Sequence, residues 1–518
     1  MYKKELPVAT PESQGLSSRR LLAMVRELEK SGTEMHGLMI ARNGKLLIKG
    51  WWKPYRENLA HICHSMGKSY VGTAVGLAIK QGYLKLDDKI VDIFDEEIKK
   101  YGIVPNSNMK SLTIEHVLKM SNGMSIQPPS GENLLFNYLS STFDLVPGEK
   151  FLYNTTGSCM LGAAVTKVTG RGLREYLTEN IFDKIGVENN CLEWMQFRSN
   201  NIYAAPGVAS STENNLRLGL LYLNYGCWNG EQLIDRSFVE KGTTTQISTE
   251  VVNKESHTED HSGYGFQLWI CPERDTFKFS GGHGQDVILN RTWNLAISIN
   301  QAANDGNCTA VNEIFHNYLL SEPIPEILPE DEVGYEELCQ YMNNLKIADR
   351  KKLIVSGESF SDKEQVLYSW QGIYRVKEGN IHVNTELRPL SDDNVYTDFY
   401  DHDDVNAKEI SLAVKGRYFE CVLDDGKDRT RLLCTLDGTL MPVATKGAIP
   451  IYRETISVCY LEGEDLVIET KFLQTCFWTR MKLHREENGL VSAVIRKERL
   501  HEDNPYIFLK AVLEKVKI

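Results

Sequence analysis

The chain has 518 residues, of which 42% are hydrophobic and 25% are charged, and its formal net charge at pH 7 is -12. This length predicts two or three domains, and this composition is typical of a soluble globular protein. The negative charge argues against a nucleic-acid-binding protein, which needs a basic face, and the absence of any run of about 18 apolar residues argues against a membrane span.

The first 52 residues predict one helix and one hairpin. The opening segment MYKKELPVATPESQG has two lysines but no apolar stretch after them, so we expect no secretory leader. Apolar residues recur at helical spacing over 17–32. The segment 36–52 predicts two strands around an Asn43-Gly44 turn.

The next segment, HICHSMGKSYVGTAVGLAIKQGYLKLDD at 61–88, contains a serine three residues before a lysine. Ser65 and Lys68 would share one face of the first turn of a buried helix that ends at Gly82. A serine hydroxyl is a weak nucleophile that needs an adjacent base, and a buried lysine can serve because burial disfavours its charged form. The free N–H groups of a helix start can also stabilise an oxyanion. The alternative is the polar start of an ordinary helix.

The same spacing occurs a second time, at Ser107 and Lys110. This copy follows a proline and precedes a short predicted helix within 112–124, and no apolar helix comes after it. We interpret it as a chance occurrence. The motif at Ser65 therefore needs support from elsewhere in the chain.

Support comes from PGEKFLYNTTGSCMLGAAVTKVTG at 147–170, where Tyr153-Asn154-Thr155 precedes a helix of small and apolar residues. A tyrosine at a loop–helix junction can transfer protons when a nearby lysine stabilises its phenolate. The alternative is that Tyr153 is a half-buried aromatic at a helix start and that Thr155 is only the helix cap.

Three further segments, 264–270, 276–290 and 293–300, predict successive antiparallel strands. Together with the earlier elements they indicate a sheet flanked by helices. The glycines of FSGGHGQDVIL indicate a bulge, or a close approach of a ligand or another backbone segment. His283 within this stretch is either a site residue or a structural or surface imidazole.

The rest of the chain changes character. Residues 319–334 carry three prolines and five acidic residues and predict a linker, followed by a helix at roughly 335–347. Short alternating runs from 350 to 518 predict an antiparallel barrel or sandwich without a catalytic motif. The predicted organisation is one domain over 1–320, a linker and helix over 321–349, and an all-β domain over 350–518.

The three motifs, around Ser65, Tyr153 and Gly282, occur along the chain in the same order as in a known family. In this respect the sequence resembles the penicillin-recognising serine hydrolases, in particular the branch similar to class C β-lactamases that includes esterases and amide hydrolases. The resemblance covers about residues 10–315. It also includes TPESQGLSS, GLMIARNGKLLIKGWWKPY, IEHVLKMSNGM, PGEKFLYN, YLNYGCWNGEQLI and YGFQLWI. It implies an α/β (α+β) fold of the β-lactamase/transpeptidase type, with an antiparallel sheet flanked by helices.

The resemblance implies that Ser65 is the acylated nucleophile, Lys68 its partner and Tyr153 the proton shuttle. It implies substrate-binding roles at Thr155, Gly282, His283 and Gln285. The backbone N–H next to Gly282, that of His283, would be a second oxyanion donor.

Two departures from the family pattern bear on the substrate. Thr155 stands where many members carry an asparagine. The lysine of the Lys-Thr-Gly motif is missing near Ser280-Gly281-Gly282. That cation would bind the carboxylate of β-lactams and peptidoglycan stems, so its absence argues against a β-lactamase or a peptidase.

The predicted function is a serine hydrolase that cleaves a small ester or amide through a Ser65 acyl-enzyme, without a metal or a cofactor. The alternatives are a β-lactamase or D-amino-acid peptidase, an acyltransferase that uses the same residues, and a binding protein that keeps only the pocket. The predicted partner is the small-molecule substrate, and the oligomeric state stays open, with a homodimer as one option. Eleven cysteines without a CxxC pair indicate unpaired thiols and a cytoplasmic location.

Overall fold

The structure, a computed structural model, describes residues 5–129, 133–197, 202–249, 262–303, 305–349, 361–383, 406–427, 429–445, 453–498 and 506–516. The α-helices are α1 (Ser18–Lys30), α2 (Gly67–Lys80), α3 (Ile90–Ile93), α4 (Asp95–Tyr101), α5 (Ser107–Ser111), α6 (Ile114–Leu118), α7 (Leu134–Leu139), α8 (Thr155–Thr169), α9 (Leu173–Leu177), α10 (Asp183–Ile185), α11 (Thr212–Leu223), α12 (Arg236–Gly242), α13 (Asp305–Phe315), α14 (Glu332–Asn343) and α15 (Ser361–Ser369).

The strands fall into a first group before residue 303 and a second group after residue 371. The first group is β1 (Glu34–Arg42), β2 (Lys45–Trp51), β3 (His61–Ile62), β4 (Leu192–Gln196), β5 (Tyr203–Ser210), β6 (Cys227–Trp228), β7 (Glu231–Gln232), β8 (Gly263–Tyr264), β9 (Trp269–Ile270), β10 (Thr276–Gly281), β11 (Gln285–Asn290) and β12 (Leu295–Ala302). The second is β13 (Gly372–Gly379), β14 (Glu409–Lys415), β15 (Tyr418–Asp424), β16 (Arg429–Thr435), β17 (Val443–Ala444), β18 (Glu454–Glu462), β19 (Asp465–Phe472), β20 (Trp478–Arg485), β21 (Val491–Glu498) and β22 (Tyr506–Lys515).

The first domain is built on a seven-stranded antiparallel sheet in the order β2-β1-β12-β11-β10-β9-β8. Side chains alternate along β1, because successive residues of a strand point to opposite faces. Leu38 and Ile40 pack with α1, α13 and α14, whereas Met39 and Ala41 pack with α2, α8 and α11. The sheet is therefore covered by helices on both faces, which confirms the predicted mixed α/β fold of the β-lactamase type.

Local signals placed several elements correctly. β1 and β2 form the hairpin predicted around Asn43-Gly44, and both turn residues have positive φ, of 53° and 71°. The helix predicted over 17–32 is α1, and the side chain of Ser17 caps it by accepting from the N–H of Arg20. These predictions are confirmed.

The predicted strands at 264–270 and 276–290 are wrong in one respect, because each is broken in two. Gln267 has a φ of 61° between β8 and β9, and His283 has a φ of 63° in a 3-10 turn, Gly282–Gly284, between β10 and β11. A residue in the left-handed region cannot continue an extended strand. The two breaks therefore turn a run of predicted strands into short hairpins.

Helix α2 runs through the middle of the first domain and is buried from Gly67 to Ala78. Its first residue touches β5 so closely that a Cβ on Gly67 would lie 2.0 Å from the carbonyl oxygen of Ala205. Helix α8 packs beside α2, and its residues Thr155 to Val165 are buried as well. The ends of these two helices position the site described below.

The second sheet closes on itself. Its strands follow the order β16-β15-β14-β13-β22-β21-β20-β19-β18, and β16 pairs in parallel with β18, Cys434 opposite Ser457, to complete a nine-stranded barrel. The short β17 adds to β18 at the edge. This confirms the predicted all-β domain and selects the barrel over the sandwich. The start predicted for it, near residue 350, lies outside the described residues.

The predicted linker runs over the surface of the first domain, before α14. The N–H of Leu328 donates to the carbonyl oxygen of Glu12 at 2.8 Å, and Arg19 pairs with Asp331 at 2.7 Å. The segment is thus attached along its length rather than only at its ends.

None of the eleven cysteines, all of which lie in the described part of the chain, forms a disulfide. The prediction of unpaired thiols is confirmed, whereas the cytoplasmic location stays a prediction. Within the described ranges, no helix combines the length and the apolar character that crossing a bilayer requires.

Candidate active site

Ser65 lies in a 3-10 turn, His64–Met66, directly before α2. The turn begins after β3, where the N–H of Cys63 donates to the carbonyl oxygen of Val208 at 2.8 Å. His64 and Met66 are buried, whereas Ser65 between them is half-buried. The fold therefore leaves the hydroxyl of this turn within reach of a small molecule.

Lys68 stands in the first turn of α2 and is only 1% exposed. Its Nζ donates to the Oγ of Ser65 at 2.8 Å, and the same Nζ lies 4.8 Å from the ring centroid of Tyr153. The structure thus brings together the three residues for which catalytic roles were predicted. The roles themselves stay predictions.

The second copy of the motif has a different environment. Ser107 and Lys110 are both exposed on α5, which has only five residues. Lys110 lies at the surface, whereas Lys68 is 1% exposed. The two copies have the same serine–lysine spacing, but they differ in burial and in the length of the helix that carries them.

Tyr153 belongs to an aromatic group beside the nucleophile. Its ring stacks on Trp269 with centroids 5.8 Å apart and planes 13° apart, and it meets Tyr264 edge-on at 6.4 Å. Burial, together with the neighbouring Tyr153, raises the pKa of Tyr264 well above its ordinary value. Tyr264 is therefore a neutral wall at physiological pH, and Tyr153, which is half-buried, is the more accessible of the two phenols.

Asn154 and not Thr155 caps α8. The Oδ1 of Asn154 accepts from the N–H of Gly157 at 2.7 Å, so the interpretation of Thr155 as the helix cap is wrong. Thr155 is the first helical residue, and its N–H donates to the Oε1 of Gln127 at 2.8 Å. Gln127 lies beside this part of the site, and no local pattern in the sequence singles it out.

Gln267 is a second residue that the sequence analysis missed. Its Nε2 donates to the carbonyl oxygen of Leu118 at 3.0 Å, its Oε1 accepts from the Oγ of Ser158 at 2.6 Å, and its carbonyl oxygen accepts from the Oγ of Ser69 at 2.8 Å. One buried side chain and its backbone thereby join α6, α8 and α2. Gln267 holds α2, which carries Lys68, in register with α8, whose cap directly follows Tyr153.

The glycine strand β10 ends against the nucleophile turn. A Cβ on Gly281 would lie 2.0 Å from the carbonyl oxygen of Cys63 and 3.0 Å from the backbone nitrogen of Met66, so only glycine fits there. Gly282 is exposed, and a Cβ on it would meet nothing closer than His64 at 3.7 Å. The end of β10 therefore lies alongside Ser65, on the side where the second oxyanion donor is predicted.

His283 and Gln285 occupy different environments. The His283 ring is half-buried and meets the His64 ring edge-on, with centroids 5.2 Å apart. Gln285 is fully buried, and its Nε2 donates to the carbonyl oxygens of Gln301 at 2.5 Å and of His283 at 3.1 Å. This burial favours a role for Gln285 in holding the 282–284 turn over a direct contact with substrate.

The lysine nearest to the altered third motif points away from the site. Phe277 and Phe279 of β10 pack on the α2 side of the sheet, so Lys278 between them points to the other face. There it is buried, with its Nζ 3.8 Å from the carboxylate of Asp286. Lys278 therefore does not replace the cation of the Lys-Thr-Gly motif.

The barrel also reaches the nucleophile turn. The turn 473–477, which joins β19 to β20, accepts a hydrogen bond from the N–H of Ile62 on the carbonyl oxygen of Gln474 at 2.8 Å. The Sγ of Cys476 lies 3.5 Å from the Nε2 of His64, and the ring of Phe477 lies 4.3 Å from the ring of His283. The sequence analysis missed both residues, because no motif marks them.

A buried polar cluster lies behind these contacts. Glu34 accepts from the Nζ of Lys471 at 2.6 Å and from the Nε1 of Trp478 at 3.0 Å, and it contacts His36 at 3.1 Å. His36 in turn contacts His61 at 2.9 Å. Burial alone would raise the pKa of Glu34, but the charge of Lys471 and the contact with His36 hold it well below its ordinary range. Burial lowers the pKa of His36 to about 3.

Across the described residues, no group of three or more His, Cys, Asp or Glu side chains is arranged to hold a metal ion.

Comparison with known proteins places these residues in a family context. The Beta-lactamase family model matches residues 24–309, which is more than half of the chain. That range contains all of the site residues predicted from the sequence, and Cys476 and Phe477 lie outside it.

Individual relatives are distant. An uncharacterized protein of Alkalihalophilus pseudofirmus is 23% identical over 271 residues, which are 46% of this chain and 71% of that protein. The penicillin-binding protein from Bacillus halodurans has a TM-score of 0.45 and 15% identity, over 57% of this chain and 99% of that chain. The octameric penicillin-binding protein homologue from Pyrococcus abyssi has a TM-score of 0.43 and 14% identity, over 95% of this chain and 99% of that chain.

Proposed function

The chain belongs to the Beta-lactamase family, and on that premise we propose that it is a serine hydrolase that cleaves a small ester or amide through a Ser65 acyl-enzyme. The observation that carries the proposal is the 2.8 Å hydrogen bond from the Nζ of Lys68 to the Oγ of Ser65, made by a lysine that is 1% exposed. A lysine that is buried and adjacent to a reachable hydroxyl has the position of a base rather than that of a surface charge.

The reaction proceeds in two halves. The Oγ of Ser65 attacks the carbonyl carbon while its proton passes to the neutral amine of Lys68 or to the phenolate of Tyr153, because neither an ammonium nor a neutral phenol can accept it. The N–H groups of Ser65 and of the residue after Gly282 stabilise the tetrahedral oxyanion. Tyr153 protonates the departing alcohol or amine, and an acyl-enzyme remains. Water then attacks the ester carbonyl while the same base takes its proton. The bond to the Oγ of Ser65 breaks, the proton passes to that Oγ, and the acid is released.

The side chains around Ser65 support one substrate class over another. Lys278 is turned away from Ser65 and paired with Asp286 on the other face of the sheet. Next to Lys68, Tyr153 and Trp269 form a stacked aromatic pair. These features support a neutral, apolar or aromatic substrate over one with a carboxylate next to the scissile bond. The unpaired thiols support a reducing compartment such as the cytoplasm as its location.

Covalent labelling tests the nucleophile. We expect a fluorophosphonate probe to label the wild-type protein, with the adduct mapped to Ser65 by mass spectrometry, and to leave Ser65→Ala unlabelled. Ser107→Ala is the matched control, because it removes the serine of the second motif, and it should label like the wild type. Lys68→Met should slow labelling by about 10²–10⁴-fold, the usual effect of a general base, whereas Lys110→Met should not.

A folded wild type that neither labels nor hydrolyses any member of an ester and amide library would refute the proposal, and so would retention of the label in Ser65→Ala. Product analysis with added alcohols and amines separates hydrolysis from acyl transfer. Rapid turnover of nitrocefin would instead identify a β-lactamase.

A further inference from the structure

The turn 473–477 is the place where the barrel contacts the immediate neighbours of Ser65. Cys476 lies against His64, the residue just before the nucleophile. Gln474 accepts from the N–H of Ile62. The barrel is therefore in contact with the nucleophile turn itself, and not only with a distant surface of the first domain.

Three aromatic rings form a row that starts beside Ser65 and ends in the barrel. The His64 and His283 rings meet edge-on with centroids 5.2 Å apart, and the His283 and Phe477 rings meet edge-on at 4.3 Å. His283 is half-buried and Phe477 is 5% exposed, so Phe477 closes the space behind the imidazole. Phe477 therefore packs directly against the His283 ring on the side away from His64, and a smaller side chain at 477 would remove that contact.

The turn is fixed at both of its ends. Lys471, at the end of β19, is 0% exposed and pairs with Glu34, and Trp478, at the start of β20, donates to the same carboxylate. A buried charge that loses its partner is strongly destabilising, so this anchor does not open easily. The side chain of Phe477 is therefore held in one place by contacts that do not involve the site.

We propose that Phe477 is a specificity-determining residue, supplied by the barrel, that limits the size of the apolar or aromatic group next to the scissile carbonyl. The inference rests on the proposed hydrolase function. On the Lys68 side of Ser65 lie the stacked rings of Tyr153 and Trp269. A smaller side chain at 477 would leave space into which the His283 ring can move, toward the barrel and away from the Ser65 turn.

The test compares full-length wild type, Phe477→Ala and Phe477→Leu on probes that differ only in size. Fluorophosphonates with a short and a long alkyl group report on Ser65 directly, and p-nitrophenyl esters with acyl groups from acetyl to octanoyl and phenylacetyl report kcat and KM. Phe419→Ala is the matched control, because Phe419, on β15, is also a buried barrel ring, 0% exposed where Phe477 is 5% exposed. Melting temperatures show which variants are folded.

In Phe477→Ala, we expect the ratio of large-probe to small-probe rates to rise by about 10-fold or more, the scale set by a single methylene group in an apolar pocket. Phe477→Leu should shift the ratio less, and Phe419→Ala should keep the wild-type ratio. If Phe477→Ala does not fold, the rate ratio of Phe477→Leu is compared with that of the wild type instead.

The outcomes separate the two proposals. If Ser65 is labelled in the wild type but the size ratio is the same in every folded variant, the inference about Phe477 is overturned and the hydrolase proposal stands. An equal change of the ratio in Phe419→Ala would also overturn it, since the effect would then come from the barrel as a whole. If Ser65 is not labelled at all, the hydrolase proposal fails first.

Discussion

Gly281 and Gly282 are adjacent residues with opposite tolerance for a side chain. Gly281 has an extended backbone, with φ -131° and ψ 157°, so its conformation would accept any residue. What excludes a side chain is space, because a Cβ would lie 2.0 Å from the carbonyl oxygen of Cys63. The partner is backbone and cannot move away without displacing the nucleophile turn. Gly282 has open space at the same place.

We therefore expect Gly281→Ala to lower the free energy of unfolding by about 1–3 kcal/mol, the usual cost of forcing extra volume into a packed site. Gly282→Ala should stay within about 0.5 kcal/mol of the wild type, as an exposed substitution does. Urea unfolding of the two variants measures both values. Equal stability of the two alanine variants would show that β10 does not press on the Ser65 turn.

At the scale of residues, the sequence contains enough to place Ser65 beside Lys68, because positions i and i+3 share a helix face. The role of Tyr153 was predicted from the order in which the motifs occur along the chain. The contact between Cys476 and His64 joins residues 412 positions apart, and neither belongs to a motif, so it could not be predicted. Only the folded chain reveals that the barrel contacts the turn that carries Ser65.

Helix α8 begins two residues after Tyr153, with Asn154 between them as its cap. Asn154 caps the helix through the N–H of Gly157 and is fully buried, and its own N–H lies 3.2 Å from the Sδ of Met120. The cap fixes where the helix starts, and the residue just before it is Tyr153. The start of α8 therefore determines the position of the Tyr153 ring near Lys68.

Replacing this cap should affect both stability and reactivity. We expect Asn154→Ala to lower the free energy of unfolding by about 1–2 kcal/mol and to slow the labelling of Ser65, because the helix start loosens. Asn154→Ser, which can also cap, should recover much of both. Asn106→Ala is the matched control, since Asn106 caps α5 in the same way, through the N–H of Met109 at 2.8 Å. Asn106→Ala should lower the free energy of unfolding and leave the labelling rate of Ser65 unchanged. Slower labelling in both alanine variants would contradict the inference that the Asn154 cap positions Tyr153.

The elements with local signals were predictable, and those that depend on distant partners were not. The Asn43-Gly44 hairpin and the Ser17 cap are specified by a few adjacent residues. The break at Gln267 requires a non-glycine residue with a φ of 61°, which is uncommon. Its side chain and backbone bond to three helices, and those contacts, absent from any local pattern, hold it in that conformation.

For the molecule as a whole, the important feature is how the barrel is joined to the first domain. Lys471 lies in an alternating strand and in sequence looks like a surface lysine, yet it is fully buried against Glu34. Around this pair lie His36 and His61 from the first domain. Burial lowers the pKa of His36 to about 3 and that of His61 well below its ordinary value. Both imidazoles are thus neutral in the folded protein.

This junction predicts the direction of the pH dependence of stability. Between pH 6.5, the ordinary pKa of histidine, and about 3, the unfolded chain holds a proton on His36 that the folded chain does not, so stability falls as the pH falls. His61 acts in the same direction. Glu34, with its pKa held below its ordinary 4.5, adds stability above that pH that is lost on further acidification. Each proton contributes at most about 1.4 kcal/mol per pH unit.

We therefore expect the free energy of unfolding, measured with urea between about pH 7 and about pH 5, to fall as the solution is acidified. His36→Gln should reduce that slope by up to about 1.4 kcal/mol per pH unit, because one of the responsible groups is gone. His484→Gln is the control for the loss of an exposed imidazole, since His484 lies on β20 of the same barrel, where it pairs with Asp465 at 2.7 Å. If all three proteins share one slope, the buried histidines do not set the acid sensitivity of the junction between the barrel and the first domain.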